Sequence, residues 1–224
     1  MNIHPSILEF LLDVDQNNNR EWFAEHKPRY QETHALFKEF AEEVENEVLD
    51  HDKVENLKVY RIYRDVRFSK NKLPYKNNYG ASLNRVGEYR RGGFYFQVQP
   101  GDNSFVAGGF WGPNKDDLKL IRNKIAADPL PLRRVLASQK LRNLFGDMKG
   151  DKVKTSPKGF SKDDPAIDLL RYKQFLLIRN FTDEEVINDT FLDEVVKTYA
   201  GLMPFYDHMS DVLTTDMDGR PLYG

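Results

Sequence analysis

No cysteine occurs among the 224 residues. Disulfides, thiolate nucleophiles and cysteine zinc sites are therefore excluded, and the composition suits a reducing compartment. Apolar runs are short, and none approaches the roughly 18 residues of a membrane span. The apolar patch at 7–12 is interrupted by Glu9 and has neither a basic leader nor a small-residue cleavage site. A secretory signal is not expected there, and the expected location is cytoplasmic. The five histidines His4, His26, His34, His51 and His208 form no pair with metal-ligand spacing. Nucleophile-elbow, phosphate-loop and dinucleotide fingerprints are also missing. No metal and no cofactor is expected.

What is present is an ordinary globular balance, 40% hydrophobic and 30% charged, with enough chain to bury a core unaided. No flexible linker, repeat or low-complexity tract divides it, so 1–224 reads as a single domain. The net charge of −2 hides an imbalance. Residues 1–57 carry −9, residues 58–91 carry +8 and residues 92–224 carry −1. A basic patch set in an acidic chain implies an internal acid–base contact, an anionic partner, or both.

Periodicity predicts helices first. Asn18 with Glu21 is a capping signal ahead of Trp22 and Phe23. Pro28 should kink or restart the helix. Beyond it, Tyr30, His34, Phe37, Ala41, Val44 and Val48 form an apolar stripe, opposite a solvated acidic face of Glu32, Glu39, Glu42, Glu43 and Glu45. Strands are predicted at 58–68, 94–99 and 104–111. In the first, Tyr60, Ile62, Arg64, Val66 and Phe68 face one way, and Val59, Arg61, Tyr63, Asp65 and Arg67 the other. Gly108 and Gly109 signal a bulge or a close backbone approach. Helices return at 114–127, after Pro131 and at 190–202, where Pro204 should interrupt. Residues 149–165 read as a long loop, and the chain after Thr214 as a loose tail. The fold class is α+β: an antiparallel β-meander packed with N-terminal and C-terminal helices.

Residues 61–76 place six cations, two tyrosines and one serine in a short stretch. Arg61, Arg64, Arg67, Lys70, Lys72 and Lys76 repel one another unless acids or a bound anion offset them. Asp65 between Arg61 and Arg67 is placed to orient both. The expected ligand-binding set is Arg61, Arg64, Asp65, Arg67, Ser69, Lys70, Lys72, Tyr75 and Lys76. Lys158 joins it from the lysine-rich segment 149–162, where backbone N–H groups of 156–159 could approach an anion. Three readings stay open. One is a binding module for a small phosphate- or carboxylate-bearing ligand. Another is an enzyme acting on such a substrate, with Ser69 or Tyr75 as nucleophile or acid and Asp65 as orienter. The last is scaffolding, with the cations held by glutamates of 32–55, and with Asp164, Asp168, Arg171 and Lys173 pairing to the strand arginines. Nucleic acid is a weaker candidate, because the pI near 6.2 shows no overall basic excess.

The uninterrupted block from Arg61 to Lys76 has the form R-x-x-R-D-x-R-F-S-K-x-K-x-P-Y-K. With it stand Asn19-Arg20 before Trp22-Phe23, then Gly92-Gly93-Phe94-Tyr95-Phe96 and Gly108-Gly109-Phe110-Trp111 with Pro113. Ser156-Pro157-Lys158-Gly159-Phe160, Asp164-Pro165, Asp168-Leu169-Leu170-Arg171 and Lys173 complete the pattern. Over nearly the whole chain this resembles the bacterial domain of unknown function 2461. The resemblance implies an α+β fold and no particular activity, so no catalytic role follows from it.

Overall fold

The computed structural model describes residues 1–50, 52–67, 69–87 and 90–222. Helices α1 (Pro5–Gln16), α2 (Arg20–Glu25) and α3 (Lys27–Leu49) lead into strands β1 (Val54–Val59), β2 (Tyr79–Arg85), β3 (Gly93–Val98) and β4 (Ser104–Phe110). Helices α4 (Lys115–Ala127), α5 (Leu130–Ala137), α6 (Gln139–Phe145) and α7 (Ile167–Leu170) precede β5 (Phe175–Phe181), α8 (Asp183–Ile187) and α9 (Phe191–Thr214). The strands form one antiparallel sheet in the order β1-β2-β3-β4-β5, which makes the fold α+β as expected.

Local chemistry accounts for most helix starts. Asn114 accepts hydrogen bonds from the backbone of Asp116 and Asp117 and opens α4. Thr182 and Glu185 form a reciprocal capping box on α8. Pro28 lies in the first turn of α3, where its missing N–H costs nothing. The N-cap of α2 is Asn19, not Asn18, and it accepts from Trp22 N at 2.9 Å.

Three further expectations are corrected. The strand predicted at 58–68 is β1 at Val54–Val59. Tyr60 N still reaches Gly80 O, but beyond it the loop pairs with itself. Lys76 N donates to Ile62 O, Arg64 N to Pro74 O, and Tyr63 bridges Tyr75. Pro74 has no N–H to return, so the ladder ends there. The alternation nevertheless persists: Ile62 is buried and Arg64 and Val66 half-buried, while Arg61, Tyr63, Asp65 and Arg67 are exposed. The facing of Phe68 and the position of His51 lie outside the described residues. Next, Pro204 does not interrupt α9. A proline removes one intrahelical bond at a cost of ~3 kcal/mol, and Leu202, Phe205, Tyr206 and Met209 are all buried around it. Last, residues 214–222 are tied back by Leu222 N to Thr214 O and a bridge from Thr215 to Pro221. Strands β2 and β5 were not legible in the pattern.

The chain divides into two compact units. The first comprises Met1–Asn84, Tyr95–Val106 and Asn180–Lys197. Its core joins Phe37 and Phe40 of α3 to Phe96 of β3, and Phe40 to Phe191 at 5.4 Å. In the apolar stripe of α3, Phe37, Ala41, Val44 and Val48 are buried and Tyr30 and His34 half-buried, while its glutamates are largely exposed. The second unit comprises Arg85–Phe94, Ala107–Arg179 and Thr198–Gly224. It is organised around Tyr206, whose hydroxyl donates to Gly93 O at 2.5 Å and accepts from Gly109 N at 2.8 Å. The Arg85 guanidinium lies over that ring at 4.6 Å.

In the first unit, burial raises the phenol of Tyr95 from 10.0 to about 12. The folded protein thus holds this proton more tightly than the unfolded chain. Its contribution is complete below pH 10 and disappears as pH rises toward 12, costing about 2–3 kcal/mol of stability. Denaturant midpoints measured across this window should fall steeply for the native chain and less for Tyr95→Phe.

Candidate functional site

Residues 61–76 are anchored in the first unit from below. Asn18 lies just before α2, and its side-chain amide donates to Tyr75 O and accepts from Tyr75 N, both at 3.1 Å. A single side chain therefore acts as a strand partner for the loop. The Tyr75 ring is only 6% exposed and stacks on Phe23 at 3.9 Å with 13° between planes. Tyr63 closes on the same pair edge-on, at 5.6 Å from Tyr75 and 5.7 Å from Phe23. Burial raises the Tyr75 phenol. Tyr75 is thus an anchor of the loop and not an exposed wall.

The tip is shaped by short polar turns. Ser69 Oγ accepts from Asn71 N, and Asn71 Oδ1 accepts from Leu73 N. Lys72 Nζ donates to Val66 O at 2.9 Å, and Lys76 Nζ to Arg61 O at 3.0 Å. Both ammonium groups tie the loop to its own backbone. Asp65 grips Arg67 through two parallel bonds of 2.9 and 2.6 Å. That pair lowers the Asp65 carboxyl and raises the Arg67 guanidinium. Asp65 does not bond Arg61, so it orients one arginine rather than two. No hydrogen bond among the described residues joins Ser69, Tyr75 and Asp65.

The expected glutamate partners do not appear. Among the described residues, Arg67 is the one cation of 61–76 in an ion pair. Arg61, Arg64 and Lys70 have no side-chain hydrogen bond or ion pair to a described residue, and Arg64 Nε is buried without a partner. Lys76 is held below the usual lysine range by burial first, then by the charges of Arg64 and Arg61. The charge imbalance seen in the sequence is therefore not neutralised within the block.

Beside the loop lies an open depression of about 620 Å³. Among the described residues its cations are Arg20, Lys70 and Lys72, and its one carboxylate is Glu21. Asn18, Asn19 and Asn71 contribute amides, and Val66, Leu73 and Pro74 an apolar side. Arg20 and Asn18 were missing from the predicted set. The run Asn17-Asn18-Asn19-Arg20 carried the signal, but it reads first as a helix cap.

Lys158 belongs to the second unit and is exposed at the turn where Phe160 N meets Pro157 O. The acids and bases expected to reach the strand arginines are engaged inside that unit. Asp168 grips Arg133 at 3.0 and 2.6 Å, Lys173 lies 3.5 Å from Asp151, and Arg171 donates to the carbonyls of Val153 and Lys154. The second unit's own depression, about 430 Å³, contains Arg133 and Lys152. The first is paired with Asp168, and the second lies over the Tyr172 ring at 4.0 Å. Among the described residues no group of acids and histidines could hold a metal. None of their helices is long and apolar enough to cross a membrane.

Fold and site together define an α+β protein with a basic loop clamped over an open, cation-lined depression. The chain belongs to the family of conserved hypothetical proteins DUF2461, whose model matches residues 6–208. No curated protein and no solved structure matches it.

Proposed function

We propose that the chain, working as one domain in the cytoplasm, binds a small phosphate- or carboxylate-bearing ligand at the depression beside residues 61–76. The observation that carries this reading is the unpaired charge. Arg20 and Lys70 line the depression with no carboxylate of the described residues bonded to either, and Lys72 lies with them. Three cations gathered beside the single carboxylate of Glu21 raise one another's free energy, and an anion entering among them relieves that cost. Arg20 offers a planar two-point fork, and Lys70 a mobile point charge on the loop. Asn71 and the apolar side around Leu73 would select among anions by shape and hydrogen bonding.

The reading is tested by thermal unfolding with inorganic phosphate, pyrophosphate, citrate and sugar phosphates. A ligand at about 100 times its Kd adds about 2.7 kcal/mol to the native chain. Arg20→Gln and Lys70→Gln, both at exposed positions, should each abolish most of that gain while leaving unliganded stability within about 0.5 kcal/mol. Equal stabilisation of native and variant chains, or none by any of these anions, would refute the site.

A further inference from the structure

The first unit carries a second surface that the depression does not use. In β2 and β3 the residues Tyr79, Ala81, Leu83, Phe96 and Val98 are buried in the core. Their alternates point to the other side of the sheet and are half-buried or exposed: Ser82, Asn84, Tyr95 and Gln97. Tyr60, next to β1, and Phe105 of β4 are half-buried in the same way. The three rings form a row across the strands, with Tyr60 to Tyr95 at 6.2 Å and Tyr95 to Phe105 at 5.6 Å. Gly80 makes room for the middle ring, since a Cβ there would lie 2.5 Å from Tyr95 Oη. Hydrogen bonds hold the ring edges: Tyr60 Oη with Ser82 Oγ, and Tyr95 Oη to Gln97.

Cations border one end of this row. Lys58 Nζ lies over the Tyr60 ring at 5.0 Å and Lys76 Nζ at 5.5 Å. The charges of Arg61 and Arg64 act on Lys76. None of these four cations has a carboxylate partner among the described residues. Lys58 is exposed, with no hydrogen bond or ion pair to a described residue, and is free to trade the ring for a phosphate.

We propose that this sheet face binds single-stranded nucleic acid, with bases stacking on Tyr60, Tyr95 and Phe105 and phosphates meeting Lys58 and Lys76. Rings in a row on a sheet accept successive bases whatever their identity. A base already stacked in a duplex offers no face to them. A neutral sugar chain would use the rings and leave Lys58 and Lys76 without counter-charge. Side chains of Gln97 and Asn84 are placed to meet base edges, though they impose little sequence preference. The proposal is independent of the depression, which is tested separately with small anions.

The experiment is fluorescence anisotropy of labelled oligothymidylate and oligouridylate of about 12 nucleotides, a length one such face can span. A duplex of the same length and a neutral oligosaccharide serve as competitors. Single strands should bind saturably, with log K falling against log salt by about 0.7 for each phosphate contacted. Phe105→Leu and Tyr60→Leu keep apolar volume and should each weaken binding about tenfold or more. Lys58→Gln should shrink the salt slope by about 0.7. Thermal unfolding of each variant separates lost binding from lost folding, and Lys58→Gln, at an exposed position, reads the surface with the core untouched. Leucine variants that fold and bind like the native chain would overturn the proposal. So would duplex or oligosaccharide displacing the single strand, or no binding at low salt.

Discussion

Phe23→Ala should cost about 3–5 kcal/mol, the range for deleting a buried aromatic ring. Phe23 is 3% exposed and packs simultaneously on Tyr75, Tyr30 and Tyr63. Its removal takes away the floor on which Tyr75 rests. The loop then depends on the two bonds from Asn18, worth together about 2 kcal/mol. Phosphate-induced stabilisation should therefore vanish along with the packing, although no cation has been touched. Asn18→Ala separates the two effects. It should cost about 2 kcal/mol at most and leave the aromatic stack in place, yet weaken anion binding by freeing the loop. Denaturant unfolding gives the stability, and tryptic cleavage within 61–76 reports the release of the loop. Should Phe23→Ala lose less than about 1 kcal/mol, the ring stack is not what holds the loop.

Gly109→Ala should be comparably severe in the second unit, at about 3 kcal/mol or more. Gly109 has φ +137, a conformation that side chains rarely adopt, and a Cβ there would strike the Phe175 carbonyl oxygen. The same strand segment leaves no room at Gly108, where a Cβ would meet Leu202 Cδ1 and Tyr206 Oη. These glycines let the sheet backbone approach close enough for the Tyr206 hydroxyl to bridge Gly93 and Gly109. Tyr206→Phe keeps the ring and removes the bridge, so it should cost only about 1–3 kcal/mol, the penalty of unpaired polar groups. Calorimetric unfolding of the two variants should preserve that order. A Gly109→Ala protein as stable as the native one would mean that the strand can relax away from Phe175.

How far the sequence could be read follows from the range of the forces involved. Caps, turns and proline effects act over a few residues. Accordingly the helix restart at Pro28 was visible in the letters alone, and Thr182 followed by Glu185 has the spacing of a capping box. The in-and-out alternation of 61–67 was also visible, because side-chain direction alternates in any extended chain. Tyr60, grouped with Ile62 in that pattern, instead lies on the outward face beside Ser82. β2 was hidden: its outward positions, Gly80 and Ser82, are small and have weak strand preference. In β5 the run Phe175-Leu-Leu-Ile178 is apolar on both faces and suits a buried helix as well as a strand. Pairing with neighbours decided both.

The site divides in the same way. The sequence by itself determined that a strong positive charge sits between Leu57 and Gly92, and that the adjoining N-terminal region is acidic. It could not determine whether those opposite charges meet. Only the tertiary structure decided that no described glutamate of α3 pairs with the loop cations, that Arg67 pairs with Asp65, and that Lys72 and Lys76 bond to backbone carbonyls. The structure also turned Tyr75 inward and brought Asn18 to it across 57 residues of chain. Charge is a property of composition. Which charges are neutralised depends on distances of a few ångströms between residues far apart in sequence, and those distances exist only once the chain has folded.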